Sequence, residues 1–215
     1  MSLWKSIFGG DVARDNAPPP QALNAQTLQI GNIVKFGFAA QAGLSNQRCR
    51  VVGVKTYDLG GDAKKKGVLL LEGSEADFSL AVVKQGHRDF LEVGISILPA
   101  HVKELFDLEE FARIFDPEVE APVTLERLNE PESLAGWTGG VYYQELGHQA
   151  YISSEDYRHR YLTTDTADWE MLDYALLVSE DRRFAVQTEV YDGGRTEVSL
   201  LVYLPLDKIE EMWAA

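Results

Sequence analysis

The sequence predicts an α+β protein, mainly antiparallel β, built as a sandwich or open barrel-like sheets with one central and one C-terminal helix. Three observations carry that reading. Apolar and polar residues alternate with period two on both sides of one helical stretch. Turn residues recur every ten or so positions between the alternating runs. Asp192-Gly193-Gly194 sits between two such runs, where a tight hairpin needs positive φ.

The elements follow in order. Residues 28–36 read as a first strand, and 48–57 as a second, in which Cys49, Val51 and Gly53 alternate with Arg50, Val52 and Val54. Gly60-Gly61-Asp62 is turn chemistry. Strands follow at 67–72, 77–84 and 89–98; in the last, Phe90, Glu92 and Gly94 alternate with Leu91, Val93, Ile95 and Ile97. Pro99 closes that series, and residues 100–115 switch to helical spacing through Val102, Leu105, Phe106, Leu108, Phe111, Ile114 and Phe115. Asp116-Pro117 ends the helix, because a residue before proline resists the helical region. Further strands are expected at 141–146, 157–163, 169–178, 184–191 and 196–204. Residues 206–213, with Ile209, Met212 and Trp213 on one face, read as the C-terminal helix.

Four regions result. Residues 1–21 form a short amphipathic tip and a proline-rich linker, 22–116 a β-rich part ending in a helix, 117–135 an acidic connector, and 136–215 an acidic, tyrosine-rich β part. The apolar tip places Leu3, Trp4, Ile7 and Phe8 on one side. It could dock on the protein's own core, on a partner, or weakly on a membrane surface.

The chain has 215 residues and a net charge of −14, unevenly spread. Residues 1–102 carry +2, 103–135 carry −7, and 136–215 carry −9. Such acidity repels nucleic-acid backbones, so no nucleic-acid partner is expected. It serves solubility, or attracts a basic protein partner or a cationic ligand. No apolar run reaches a membrane span and no signal-peptide pattern opens the chain, which points to the cytoplasm.

Catalytic and metal chemistries find little support. One cysteine excludes an intramolecular disulfide and Cys-rich zinc sites. Cys49 lies between two arginines that a strand turns to the other face, so it reads as a buried, apolar residue. Lys64-Lys65-Lys66 beside glycines lacks the spacing of a phosphate loop and reads as a solvated turn. No nucleophile elbow occurs, and His148 and His159 near Glu145, Glu155 and Asp156 match no metal-ligand spacing. No catalytic, cofactor or metal residue is therefore assigned.

Eight of the nine tyrosines fall between Tyr142 and Tyr203. They pack half-buried strands, or with the neighbouring acids they form a surface for a cationic group. Candidate contacts for a cationic ligand or basic partner are Glu145, Glu155, Asp156, Tyr143, Tyr151 and Tyr157.

The amphipathic start, the proline linker, the β-rich body and the segment Trp169-Glu170-Met171-Leu172-Asp173-Tyr174-Ala175-Leu176-Leu177 resemble an uncharacterised bacterial family, YjfK-like, over most of the chain. That resemblance implies a non-enzymatic accessory or adaptor protein in envelope stress or membrane maintenance, near phage-shock-type membrane-stress proteins. It carries over no catalytic residue. The alternative is an enzyme or a small-ligand (cationic) binding protein with an unrecognised site.

Overall fold

The computed structural model describes residues 23–60, 65–116, 118, 122–161 and 169–215. The apolar tip and proline linker lie outside them. Among the described residues eleven strands form one antiparallel sheet: β1 (Ile33–Phe36), β2 (Arg48–Asp58), β3 (Lys65–Glu72), β4 (Asp77–Gln85), β5 (Arg88–Ile97), β6 (Thr124–Glu126), β7 (Val141–Ser153), β8 (Glu170–Ser179), β9 (Phe184–Tyr191), β10 (Thr196–Leu204) and β11 (Ile209–Trp213). Their order is β11-β1-β2-β3-β4-β5-β10-β9-β8-β7-β6. β2 also pairs with β7, Tyr57 opposite Ile152, and this closes eight of the strands into a barrel.

The expected sandwich or open sheets with two helices are therefore overturned. Closure pairs the ends of β2 and β7 that β1 and β6 leave free, while β11 and β6 stay the outer strands. Strands from both sides of the acidic connector share the ring, because β5 pairs with β10 and β2 with β7.

The central helix is two short ones, α1 (Pro99–Leu105) and α2 (Leu108–Ala112), followed by a 3₁₀ turn at Arg113–Phe115. Phe106 leaves the helical region with φ −135° and ψ 154°. Its ring packs against Phe111 and Tyr142, and its backbone bridges to Arg127. Asp107 then caps α2, its carboxylate accepting from the Glu109 and Glu110 amides.

The C-terminal helix is absent. Leu206–Lys208 is a 3₁₀ turn and Ile209–Trp213 is β11, paired with β1. An eight-residue helix is marginal alone, whereas β1 offers a free row of backbone partners. Residues 157–161 turn rather than extend, with the Arg160 amide donating to the Tyr157 carbonyl at 3.2 Å. The hairpin at Asp192 forms as expected: β9 pairs with β10, and Gly193 and Gly194 adopt φ of 81° and 84°.

Alternation along the ring strands separates two faces. One carries Leu80, Leu91, Val93, Leu177, Leu200 and Val202, all nearly free of solvent, which join Val102 and Leu105 of α1 and Trp137 in the main apolar core. Trp137 stacks on Phe78 at 6.1 Å and its indole donates to the Ala42 carbonyl. The other face carries Lys66, Glu92, Tyr174, Gln187 and Glu189. Lys66 of β3 lies 3.1 Å from Gln187 of β9, four strands away around the ring in either direction. Only side chains pointing into the barrel can meet that way, so the polar face is the inner one.

Candidate functional site

The inner face is set by register. Tyr57 lies opposite Lys66 across β2 and β3, Glu92 opposite Tyr203 across β5 and β10, and Tyr174 opposite Glu189 across β8 and β9. Period-two geometry then sends all six inward together with Gln187 and Tyr191.

These groups form one connected network. Lys66 Nζ pairs with Glu92 at 2.6 Å and donates to Gln187 Oε1 at 3.1 Å. The same Gln187 oxygen accepts from the Tyr174 hydroxyl at 3.0 Å, and its amide nitrogen donates to Glu189 at 2.6 Å. Glu189 also accepts from the hydroxyls of Tyr57 and Tyr191. Lys66, Glu92, Tyr174, Gln187, Glu189, Tyr57 and Tyr191 thus each find a partner, as low dielectric demands. The guanidinium of Arg195 lies 3.9 Å from the Tyr191 ring centre and pairs with Glu197.

Protonation follows from this packing. Burial pushes the Lys66 ammonium down, but the adjacent Glu92 charge outweighs it and holds Lys66 above the ordinary lysine value. Burial raises Tyr174 to about 12, with Lys66 opposing. Burial and then Glu189 raise Tyr57 and Tyr191, and burial and then Glu92 raise Tyr203. All four phenols stay protonated donors at neutral pH.

Beside the network is a cavity of about 300 Å³, lined from β2, β3, β4, β5, β9 and β10. Val52, Asp77 and Ser96 on its wall are exposed, so it reaches the surface there. Its ionisable lining comprises Lys55, Lys66, Asp77, Glu92, Glu189 and Glu197, four carboxylates against two ammonium groups. Gly94 keeps the wall thin: a Cβ there would come within 2.6 Å of Ser79 and Leu201 side-chain atoms.

The residues singled out from sequence lie elsewhere and do not form one surface. Glu145 occupies a bulge of β7 and pairs with Arg182 at 2.7 Å. Glu155 meets Arg160 at 3.3 Å. Asp156 meets Arg158 at 2.7 Å, and the hydrogen bonds from Arg158 hold its carboxyl below the ordinary range. Tyr157 is buried, tilted against Trp169 at 5.2 Å with Arg160 over its ring. Tyr143 and Tyr151 are half exposed on β7, eight residues apart, or about 26 Å of strand. Glu155, Asp156 and Tyr157 do cluster, but both carboxylates of that cluster, like Glu145, already have an arginine partner.

Sequence reasoning missed the chamber. Lys66 reads there as part of a solvated turn, yet it is the buried cation at the centre of the network, while Lys65 donates to the Arg160 carbonyl. The available signal was Lys66 sharing a strand face with Val68 and Leu70, and Glu92 with Phe90 and Gly94.

Cys49 is buried and its thiol is pushed up to about 11, chiefly by burial. Among the described residues no three His, Cys, Asp or Glu side chains converge to hold a metal ion. Among them too, no helix is long and apolar enough to cross a membrane. No family model, curated protein or solved structure matches the chain, and nothing in those comparisons bears on the YjfK-like resemblance.

Proposed function

We propose that the chain is a non-enzymatic binding protein whose barrel chamber takes a small ligand bearing an ammonium-type cation. One observation carries this reading. Glu189 accepts three hydrogen bonds, all from neutral donors, while the nearby Lys66 charge is taken up by Glu92. The chamber therefore holds a carboxylate without a cation of its own, beside open volume. Pockets of this size suit small molecules, and a few convergent polar groups fix their orientation. The Tyr57 ring on the wall adds an aromatic surface on which a cation is favourable. The accessory role in envelope maintenance implied by the YjfK-like resemblance is compatible with such a ligand-holding module.

Calorimetry with methylammonium, ethylammonium and tetramethylammonium tests it, at low and moderate salt. Binding of at least one is expected, weakened about tenfold or more by Glu189→Gln, since about 1.4 kcal/mol is a factor of ten. No binding at low salt, or binding indifferent to that substitution, would refute the reading.

A further inference from the structure

We infer that the chamber's ligand is a zwitterion, a small amino acid or relative, whose carboxylate is received by Lys55. This rests on the reading that an ammonium group sits at Glu189. Lys55 lies on β2 two residues before Tyr57, shares its inward face and lines the cavity. It is half-buried, and among the described residues no carboxylate lies within ion-pair distance of it. A partly desolvated ammonium gains from an anion that visits the cavity, because burial costs a charge unless it is paired.

The spacing defines the ligand. Tyr57 donates to Glu189, and Lys55 is the next inward position along the same strand. Two residues of strand span about 7 Å. Lys55 and the Tyr57 that holds Glu189 are thus adjacent inward positions, and Lys55 and Glu189 line the same cavity. The wall between carries hydroxyls: Ser79 faces Gly94, and Ser96 pairs directly with Ser199. These hydroxyls suit the polar ends of a ligand, while Val68, Leu70 and Leu201 on the same wall suit a short aliphatic middle. A cation alone leaves Lys55 unanswered, and an anion alone leaves Glu189 unanswered.

The experiment compares unbranched amino acids, from glycine to γ-aminobutyrate, each against the amine lacking its carboxylate. Affinities are measured by calorimetry on the full chain and on Lys55→Met. At least one amino acid should bind ten times or more tighter than its amine, and Lys55→Met should bring the two to parity. The comparison on the unaltered chain stands even if the variant does not fold. Amines that bind as well as the amino acids, or a preference that survives Lys55→Met, would overturn the zwitterion while leaving the ammonium site standing. Binding of neither class would remove both.

Discussion

Lys66 Nζ sits 2.6 Å from a Glu92 carboxylate oxygen inside the barrel, and neither side chain exposes more than 12% of its surface. A pair so placed adds little net stability over apolar residues of the same volume, yet breaking it strands a charge. Lys66→Met should therefore cost about 3–5 kcal/mol in urea unfolding. The double variant Lys66→Met, Glu92→Leu should recover a large part of that loss. A single variant as stable as the parent would show that Glu92 finds another partner.

The buried phenols set a sign for alkaline stability. Tyr174 and Tyr142 are raised to about 12, and Tyr57, Tyr191 and Tyr203 are raised as well. A raised value means that the folded chain keeps its protons after the unfolded chain has lost them. The contribution is therefore full below the unfolded tyrosine value of about 10 and is lost as pH rises through the folded values. Urea midpoints should fall as pH rises from about 10 towards about 12. An absorbance titration of the native protein should show Tyr57, Tyr174, Tyr191 and Tyr203 ionising well above the unfolded tyrosine value. Their ionisation near pH 10 in the folded protein, about the unfolded tyrosine value, would contradict the chamber geometry.

Local chemistry was legible and long-range closure was not. Asp192-Gly193-Gly194 specifies its hairpin within a few residues, so the β9–β10 pairing follows from the sequence. The pairing of Tyr57 with Ile152 that closes the barrel spans almost a hundred residues and leaves no local mark. Without closure, a strand with Lys66 or Glu92 on one face and leucines on the other reads as polar-out. In the closed ring that polar face points inward, and the apolar face is covered by α1 and the Trp137 segment. The break at Phe106-Asp107 was readable in principle, because Asp107 followed by Glu109 and Glu110 is an N-cap signature. The apolar spacing across it masked that signal.

Cys49 makes a prediction about reactivity. Burial lifts its thiol to about 11, so very little thiolate exists at neutral pH, and the sulfur is nearly inaccessible. Native protein should resist thiol-specific reagents and become reactive across the urea transition. Rapid labelling of the folded protein would mean that β1 and β2 separate at Val34 and Cys49, which pair in the sheet.

Gly67 controls an arginine rather than a turn. A Cβ at this β3 position would fall 2.1 Å from Arg158 Cγ and 2.7 Å from Cδ. These atoms are in the middle of the side chain, so the guanidinium must move with them. It now holds Asp156 at 2.7 Å and donates to the Leu28 carbonyl at 2.8 Å, tying the segment before β1 to the turn after β7. Gly67→Ala should displace Arg158 and raise the Asp156 carboxyl back toward its ordinary value. Because the folded value is depressed, the Asp156 contribution is present above the unfolded carboxylate value and lost as pH falls through the folded one. The variant should therefore lose stability at neutral pH while the parent and variant converge in acid. A carboxyl-carbon titration by NMR reads Asp156 directly, with Arg158→Met as the reference for complete loss of the guanidinium. An Asp156 titration unchanged by Gly67→Ala would show that Arg158 can reach it by another path.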